Sequence, residues 1–264
     1  MPGPCANPKD ALKVDVLGDA NAATIRVSGA LAEQCGAFIK KISLLSADAF
    51  FAGIFRSSFV RQGGKIAGQI REGKAASNAK FFTSIDSDSL MEILRTTNKN
   101  SNNLMAQQLF LTIGAELTGK PPTFSSSAAA LQRWIGERIP ETVSFVLENG
   151  SGLSDNERVT AKGMVALLDH IRTSRYAAQF LDTLPAVGED GTMKNRLRDD
   201  PVAGRSVAKT GTLRDTRAIA GVLFSKNGHT YTFAMIVNDR HAAASRDTID
   251  KLIAWLHGLG DRGR

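Results

Sequence analysis

The sequence predicts an α/β fold in which an antiparallel sheet carries flanking helices and adjoins a largely helical block. Three observations predict it. The last third holds three strand-like runs, Arg205 to Leu213, Arg217 to Ser225 and His229 to Asn238, and Asn227-Gly228 is the strongest short-range hairpin signal in the chain. The stretch before them, from Ser87 to about residue 182, is mostly of helical period. The chain closes with Ala242 to Leu259, where Ile249, Leu252, Ile253 and Leu256 share one helical face.

Taken in order, residues 1 to 41 read as the end of a small β-rich unit. Lys13 to Leu17, a Gly18-Asp19 turn and then Ala23 to Ser28 alternate with period two. From Ile42 the pattern turns helical, with Leu45, Ala49, Phe50, Ala52, Phe55 and Phe59 on one face and Gly63-Gly64 as the stop. A domain limit near residue 41 follows, giving 1–41 and 42–264. Lys65 to Ile70 and Lys80 to Ile85 read as short strands. A helix begins just after Ser87-Asp88-Ser89, where one serine is its cap, and the next runs from about Ser101 through Ile113. Residues 125 to 138 and 160 to 182 add more helix, the second opening on Thr160.

Composition bounds the function classes. A chain of 264 residues with 42% hydrophobic and 22% charged content can bury a core without disulfide or metal staples, which excludes disorder as the main description. No run approaches the roughly 18 unbroken apolar residues of a membrane span. The net charge of +7 and isoelectric point near 9.6 favour a polyanionic neighbour, such as nucleic acid, an anionic lipid surface or an acidic cell-wall polymer. The basic residues are scattered, however, and Lys40-Lys41 and Lys194 to Arg198 lack interleaved aromatics, so no nucleic-acid site is expected.

Cys5 and Cys35 show neither Cys-x-x-Cys nor histidine ligand spacing, so neither a metal nor another cofactor is expected; a disulfide requires an oxidising compartment. The opening residues, Met1-Pro2-Gly3-Pro4-Cys5, carry no charged segment followed by an apolar one, so no export signal is read in this chain. Either the chain stays in the cytoplasm or its beginning is missing.

The sharpest local string is Lys209-Thr210-Gly211-Thr212. On an edge strand such a string provides a fixed cation, a hydroxyl that can grip a carboxylate, and a glycine against which a substrate backbone can lie. Composition alone gives about 0.09 Lys-Thr-Gly triplets, so the string stands above chance. Its natural companion is Ser-x-Asn, which occurs three times, as Ser101-Asn102-Asn103, Ser154-Asp155-Asn156 and Ser225-Lys226-Asn227, where chance predicts about 0.9. The third lies in the hairpin turn. The second follows Asn149-Gly150-Ser151-Gly152 and reads as loop and cap chemistry, although it matches the Ser-Asp-Asn of class A β-lactamases.

Four separated strings, Thr97 to Ala106, Gly150 to Ser154, Leu184 to Thr192 and Ala208 to Leu213, together with Val237-Asn238, resemble in that order the D-alanyl-D-alanine carboxypeptidases of penicillin-binding class C. The resemblance runs from about residue 14 to 256. It implies a β-lactamase/transpeptidase-like sandwich, a periplasmic setting, peptidoglycan stem peptides ending in D-Ala-D-Ala as substrate, and acylation by β-lactams where the site is complete. It further implies that Ser101 relays a proton toward the leaving group and Asn103 bonds the substrate amide. Lys209 sets the electrostatics around Ser101, Thr210 binds the terminal carboxylate, Gly211 lets the substrate lie close, and the Thr212 N–H supplies half an oxyanion hole.

The family's first motif, the Ser-x-x-Lys that provides nucleophile and base, is not matched in its place. Residues 1–41 resemble the tail of the region inserted between that motif and Ser-x-Asn, so the chain reads as a C-terminal portion. Two Ser-x-x-Lys strings do occur. Ser206 and Lys209 share a strand, where positions three apart face opposite ways, and Ser77 and Lys80 precede a strand-like run where the motif needs a helical turn. His170, His229, His241 and His257 accompany no Gly-x-Ser-x-Gly elbow, and Glu189-Asp190 and Asp199-Asp200 read as loop charges. Two other readings stand beside the carboxypeptidase: a peptidoglycan- or partner-binding module without turnover, and a β-lactamase-like hydrolase using Ser77.

Overall fold

The computed structural model describes residues 11–18, 23–37, 42–139 and 145–259, and its chain divides into two compact units, Met1–Ser84 and Ile85–Arg264. The sequence-based limit at 41 falls inside the first unit, and residue 41, like Cys5, lies outside the described residues.

In the first unit, β1 (Leu12–Gly18) and β2 (Ala23–Gly29) form an antiparallel pair with Val14 opposite Val27 and Val16 opposite Ile25. Helix α1 (Ala47–Arg61) starts on Ser46, whose hydroxyl accepts the N–H of Ala49 at 3.2 Å. Its Phe50, Phe51, Ile54, Phe55 and Phe59 remain exposed, with successive phenylalanine rings stacked along the helix. The strands expected at 65–70 and 80–85 do not form: both segments are irregular, and Phe81, Phe82 and Ile85 project into solvent. Alternation makes a strand only where a partner strand and a covered face exist, and neither segment has them among the described residues.

The second unit is built on three antiparallel strands in the order β5 (Ser206–Thr212), β6 (Thr216–Phe224), β7 (Thr230–Asn238). The register sets Lys209 opposite Ala220 and Ala220 opposite Ala234, and alternation sends Ala208, Ile219 and Phe233 to one face. That face is the core. Helix α7 (Arg246–His257) lays Ile249 and Ile253 on it, and the 185–204 segment adds Val187, Met193 and Val202, all buried.

The opposite face receives helix α5 (Ala161–Arg172), where Thr232 Oγ1 donates to Asp169 Oδ1 at 2.7 Å. Thr160 caps α5 through a 3.0 Å bond from the Gly163 N–H, as the sequence implied. The expected single helix over 160–182 breaks at 173–176, where the Thr173 and Ser174 hydroxyls turn back onto carbonyls of α5, and resumes as α6 (Ala177–Thr183).

The rest of the helical block comprises α2 (Leu90–Asn100), α3 (Asn103–Thr118) and α4 (Phe124–Arg138). A short pairing of β3 (Phe145–Val146) with β4 (Arg158–Val159) brackets the Gly150 to Ser154 loop, in which the Glu157 carboxylate accepts the N–H groups of Glu148, Asn149 and Gly150. Ser154 and Asn156 bond the Glu148 carboxylate and hold it below the usual carboxylate range. Ser154 is therefore loop chemistry, and it caps no helix. Ser225 and Asn227 likewise bond each other and the backbone of His229 inside the hairpin turn.

Helices α3 and α4 meet at Gly114, where an added Cβ would stand 1.9 Å from Ser127 Oγ and 2.8 Å from Ser127 Cα. Alanine is the better helix former by about 1 kcal/mol, yet here the close approach decides the sign. Gly114→Ala is expected to lower unfolding stability by about 1–3 kcal/mol, read from urea denaturation; a gain in stability would show that the helices can separate without loss.

Candidate active site

Ser101 stands at the corner between α2 and α3. Helix α2 begins on Ser89, which accepts the Glu92 N–H at 3.3 Å, and ends at Ser101 in the left-handed region, φ 51° and ψ 50°. The Asn102 N–H then reaches back to the Thr97 carbonyl at 2.9 Å, and the Asn102 side chain accepts from Met105 N at 3.1 Å to start α3. One helix is thus stopped and the next started within two residues, and Ser101 is the apex. A left-handed serine costs about 1–2 kcal/mol relative to a helical one. Asn103 is the first residue of α3 and is half-buried beside it.

Lys209 comes from the middle of β5, on the sheet face that carries α5. Its Nζ donates to Ser101 Oγ at 2.8 Å and to the Thr210 carbonyl at 2.7 Å, a junction between positions 108 apart in sequence. Burial lowers the Lys209 pKa from the usual lysine value, and among the described residues no carboxylate lies within ion-pair reach of it. Because the lysine donates to Ser101, the serine's own proton is directed away from Lys209 and toward whatever lies above the strand edge.

The β5 edge is open where the motif ends. At its start the outer side is covered: Val187 N–H donates to the Ser206 carbonyl at 2.8 Å and Ala208 N–H donates to Pro185 O at 2.9 Å. Backbone parity then sends the N–H and C=O groups of Thr210 and Thr212 to that same outer side, where no further strand pairs among the described residues. Thr210 Oγ1 donates to Thr192 Oγ1 at 3.0 Å.

The tie between α2 and the segment before β5 was not read from the sequence. Lys99 pairs with Asp190, whose second oxygen accepts the Ala186 N–H at 2.8 Å. Gly191, at φ 53°, lies so close under α2 that a Cβ would stand 2.8 Å from the Lys99 carbonyl. Asn98 Nδ2 donates to Thr183 Oγ1 at 2.8 Å and Arg95 pairs with Asp182. Asp190, expected to be a loop charge, thus ties Ser101's helix to the backbone at Ala186. The only available signal was its place in the string that ends in Asp190-Gly191-Thr192.

The remaining candidates of the second unit do not join this cluster. Ser206 is buried on the core face of β5 and donates to Val222 O at 3.1 Å, so Ser206 and Lys209 point to opposite faces. Ser77 sits in an exposed turn of the first unit, without the helical spacing that would bring Lys80 to it. His257 is buried with Nδ1 3.1 Å from Phe224 O, His170 meets the edge of Trp134, His229 that of Tyr231, and His241 lies beside Asp239. Among the described residues no group of histidine, cysteine and acidic side chains could hold a metal ion.

Two outcomes test this geometry. If Ser101 is held left-handed, Ser101→Gly will be more stable than Ser101→Ala by about 1 kcal/mol, since both lack the hydroxyl and only alanine carries the Cβ penalty; equal stabilities would remove the strain. Lys209 is a group whose folded pKa is lowered, so between that value and the ordinary lysine value of 10.5 the unfolded chain holds more protons and stability rises with pH. Lys209→Met is therefore expected to gain stability relative to wild type at pH 7 and to lose that advantage as pH approaches the unfolded lysine value. A stability difference independent of pH would contradict the burial of the ammonium.

The chain is similar to known proteins in both sequence and fold. Residues 4–259 match the D-Ala-D-Ala carboxypeptidase 3 (S13) family. D-alanyl-D-alanine carboxypeptidase DacB of Haemophilus influenzae is 25% identical over 215 residues, 81% of this chain and 45% of that protein. Carboxypeptidase DacB of Mycolicibacterium smegmatis is 32% identical over 183 residues, 67% of this chain and 39% of that one. The chain therefore spans less than half the length of these relatives. In fold, penicillin-binding protein 4 of H. influenzae, solved with a β-lactam, superposes with a TM-score of 0.74 at 23% identity, covering 94% of this chain and 60% of that structure. The antiparallel sheet with its flanking helices is thus shared in fold with that structure, and the chain belongs to the S13 D-Ala-D-Ala carboxypeptidase family, the class C penicillin-binding proteins.

Proposed function

We propose that this chain provides the substrate-binding and proton-relay half of a periplasmic, serine-type D-Ala-D-Ala carboxypeptidase that acts on peptidoglycan stem peptides. The observation that carries the reading is the Lys209–Ser101 hydrogen bond beside an open strand edge. A D-Ala-D-Ala terminus lies along Thr210 to Thr212, its carboxylate near the Thr210 hydroxyl and the positive charge of Lys209, its amide on Asn103. When a serine oxygen attacks the penultimate carbonyl, the oxygen of that carbonyl becomes negative and the Thr212 N–H stabilises it. The attacking serine gives its proton to the base that accompanies it; as the C–N bond breaks, the departing D-alanine nitrogen takes the Ser101 hydroxyl proton, which the lysine-donated bond has left pointing toward it, and that base returns a proton to Ser101 Oγ. A glycine at 211 keeps the approach free of a side chain.

Neither Ser-x-x-Lys string in these 264 residues is arranged to supply the attacking serine, so acylation belongs to a protein in which this region joins a nucleophile-bearing element. Removing a serine nucleophile costs on the order of 10⁶ in kcat. The test is an intact mass of the 264-residue chain after incubation with excess benzylpenicillin, beside a binding measurement with an N-acetylated tripeptide ending in D-Ala-D-Ala. The expected result is no covalent adduct, together with saturable peptide binding that Lys209→Met abolishes. A stoichiometric adduct on Ser77 would instead support the β-lactamase-like alternative, and binding indifferent to Lys209 would defeat the proposed site.

A further inference from the structure

Within the second unit, a cleft of about 720 Å³ lies between α3, α4 and the stretch that follows β3, and it shares no lining residue with the Lys209–Ser101 junction. That volume falls within the roughly 300–1,000 Å³ of small-molecule sites. Helical period builds its α4 wall, where Ser125, Ala128, Ala129 and Gln132 recur at the three- and four-residue spacing of one stripe. The two alanines leave the room that the cleft occupies. On α3 the wall is Gln107, which shares a face with Asn103 and stands one turn, about 6 Å, further along the helix. The third wall is Leu147 to Asn149, fixed by Glu157, whose carboxylate accepts the N–H groups of Glu148 and Asn149 at 3.1 Å.

The polar groups on these walls are only partly spent. Asn149 Oδ1 accepts the Ser151 N–H at 2.9 Å, which leaves the amide protons as donors. Gln132 Nε2 donates to the Phe145 carbonyl at 3.4 Å, which leaves its oxygen as an acceptor. Among the described residues the Gln107 amide and the Ser125 hydroxyl make no hydrogen bond. Glu148 is the one charge on the lining, and its carboxylate already accepts from Ser154 and Asn156. Phe124 adds an aromatic ring that is 42% exposed.

Neutral donors and acceptors are thus interleaved around an exposed ring. An anion entering here would meet Glu148 and no cation, and an ammonium would find a single carboxylate that is already bonded twice. The lining instead complements a neutral ligand with several hydroxyls and an amide. Hydroxyls both donate and accept, an acetamido group offers one N–H and one carbonyl, and the C–H face of a pyranose ring can pack on an aromatic side chain. We propose that this cleft binds an acetamido-hexose unit of the glycan strand. The inference rests on the carboxypeptidase reading for the source of that sugar, the polymer to which the stem peptide is attached, and deepens it: the glycan is held beside the peptide tail that it carries.

Calorimetric titration of the whole 264-residue chain with N-acetylglucosamine trisaccharide, with its deacetylated counterpart and with a glucose trisaccharide tests this. Wild type is expected to bind the acetylated sugar with a Kd of about 1 mM or below, and about ten-fold more tightly than either of the others. Ala129→Leu exchanges two good helix formers at an exposed position, so it should fill the cleft without unfolding α4 and weaken the acetylated sugar about ten-fold. Gln107→Ala/Gln132→Ala should weaken it to a similar extent, about ten-fold, by removing both amides. Tighter binding of the deacetylated, cationic sugar means an amine site at Glu148 and overturns the proposal, as does equal binding of the glucose trisaccharide. The absence of saturable binding, or binding that neither variant alters, overturns it too. Peptide binding is read separately: a D-Ala-D-Ala tripeptide that ignores Lys209, while the acetylated sugar still depends on the cleft, defeats the carboxypeptidase reading and leaves the sugar site supported.

Discussion

The hydrogen bond from Lys209 to Ser101 is the constraint around which the second unit is arranged. It joins a strand to a helix corner, and each end has to be held independently for the 2.8 Å distance to persist. The strand end is held by the three-stranded ladder and by the 185–187 segment bonded along its outer side. The helix end is held by the Asn98, Arg95 and Lys99 contacts to residues 182–190. The same short segment therefore serves both ends, and that is why residues so distant in sequence keep one geometry.

The two lysines near this junction meet opposite environments. Lys99 has an acidic partner, Asp190, and acts as a tether. Among the described residues Lys209 has only a hydroxyl and a carbonyl, and burial works against its charge. An acidic partner for Lys209 would satisfy its charge internally and remove its pull on a substrate anion. A half-buried ammonium with no counter-ion among the described residues is costly to the fold, as the left-handed Ser101 is, and such local costs gather at functional sites.

Much of the sheet and its motif was legible in the sequence because the signals are local. The Asn227-Gly228 turn, the alternation in β5 to β7 and the caps at Ser89 and Thr160 all act within a few residues. The segments at 65–70 and 80–85 misled for the converse reason: a strand requires a partner, and alternation says nothing about whether one is present. Of the site, the string around Lys209 and the Ser101 pair could be read from spacing and resemblance. Asp190 could not, since an acidic residue next to a glycine looks the same whether it is solvated or tied to a helix.

The coverage of β5 by Pro185 to Val187 has a further consequence for how the chain behaves in company. An uncovered seven-residue edge could template a strand from any neighbouring polypeptide, and so seed aggregation. Here the first half is already bonded, and Thr210 to Thr212 leave room for roughly one extended dipeptide. The edge thus works as a ruler. It is long enough to seat a short extended peptide and too short to recruit a full strand from a stranger.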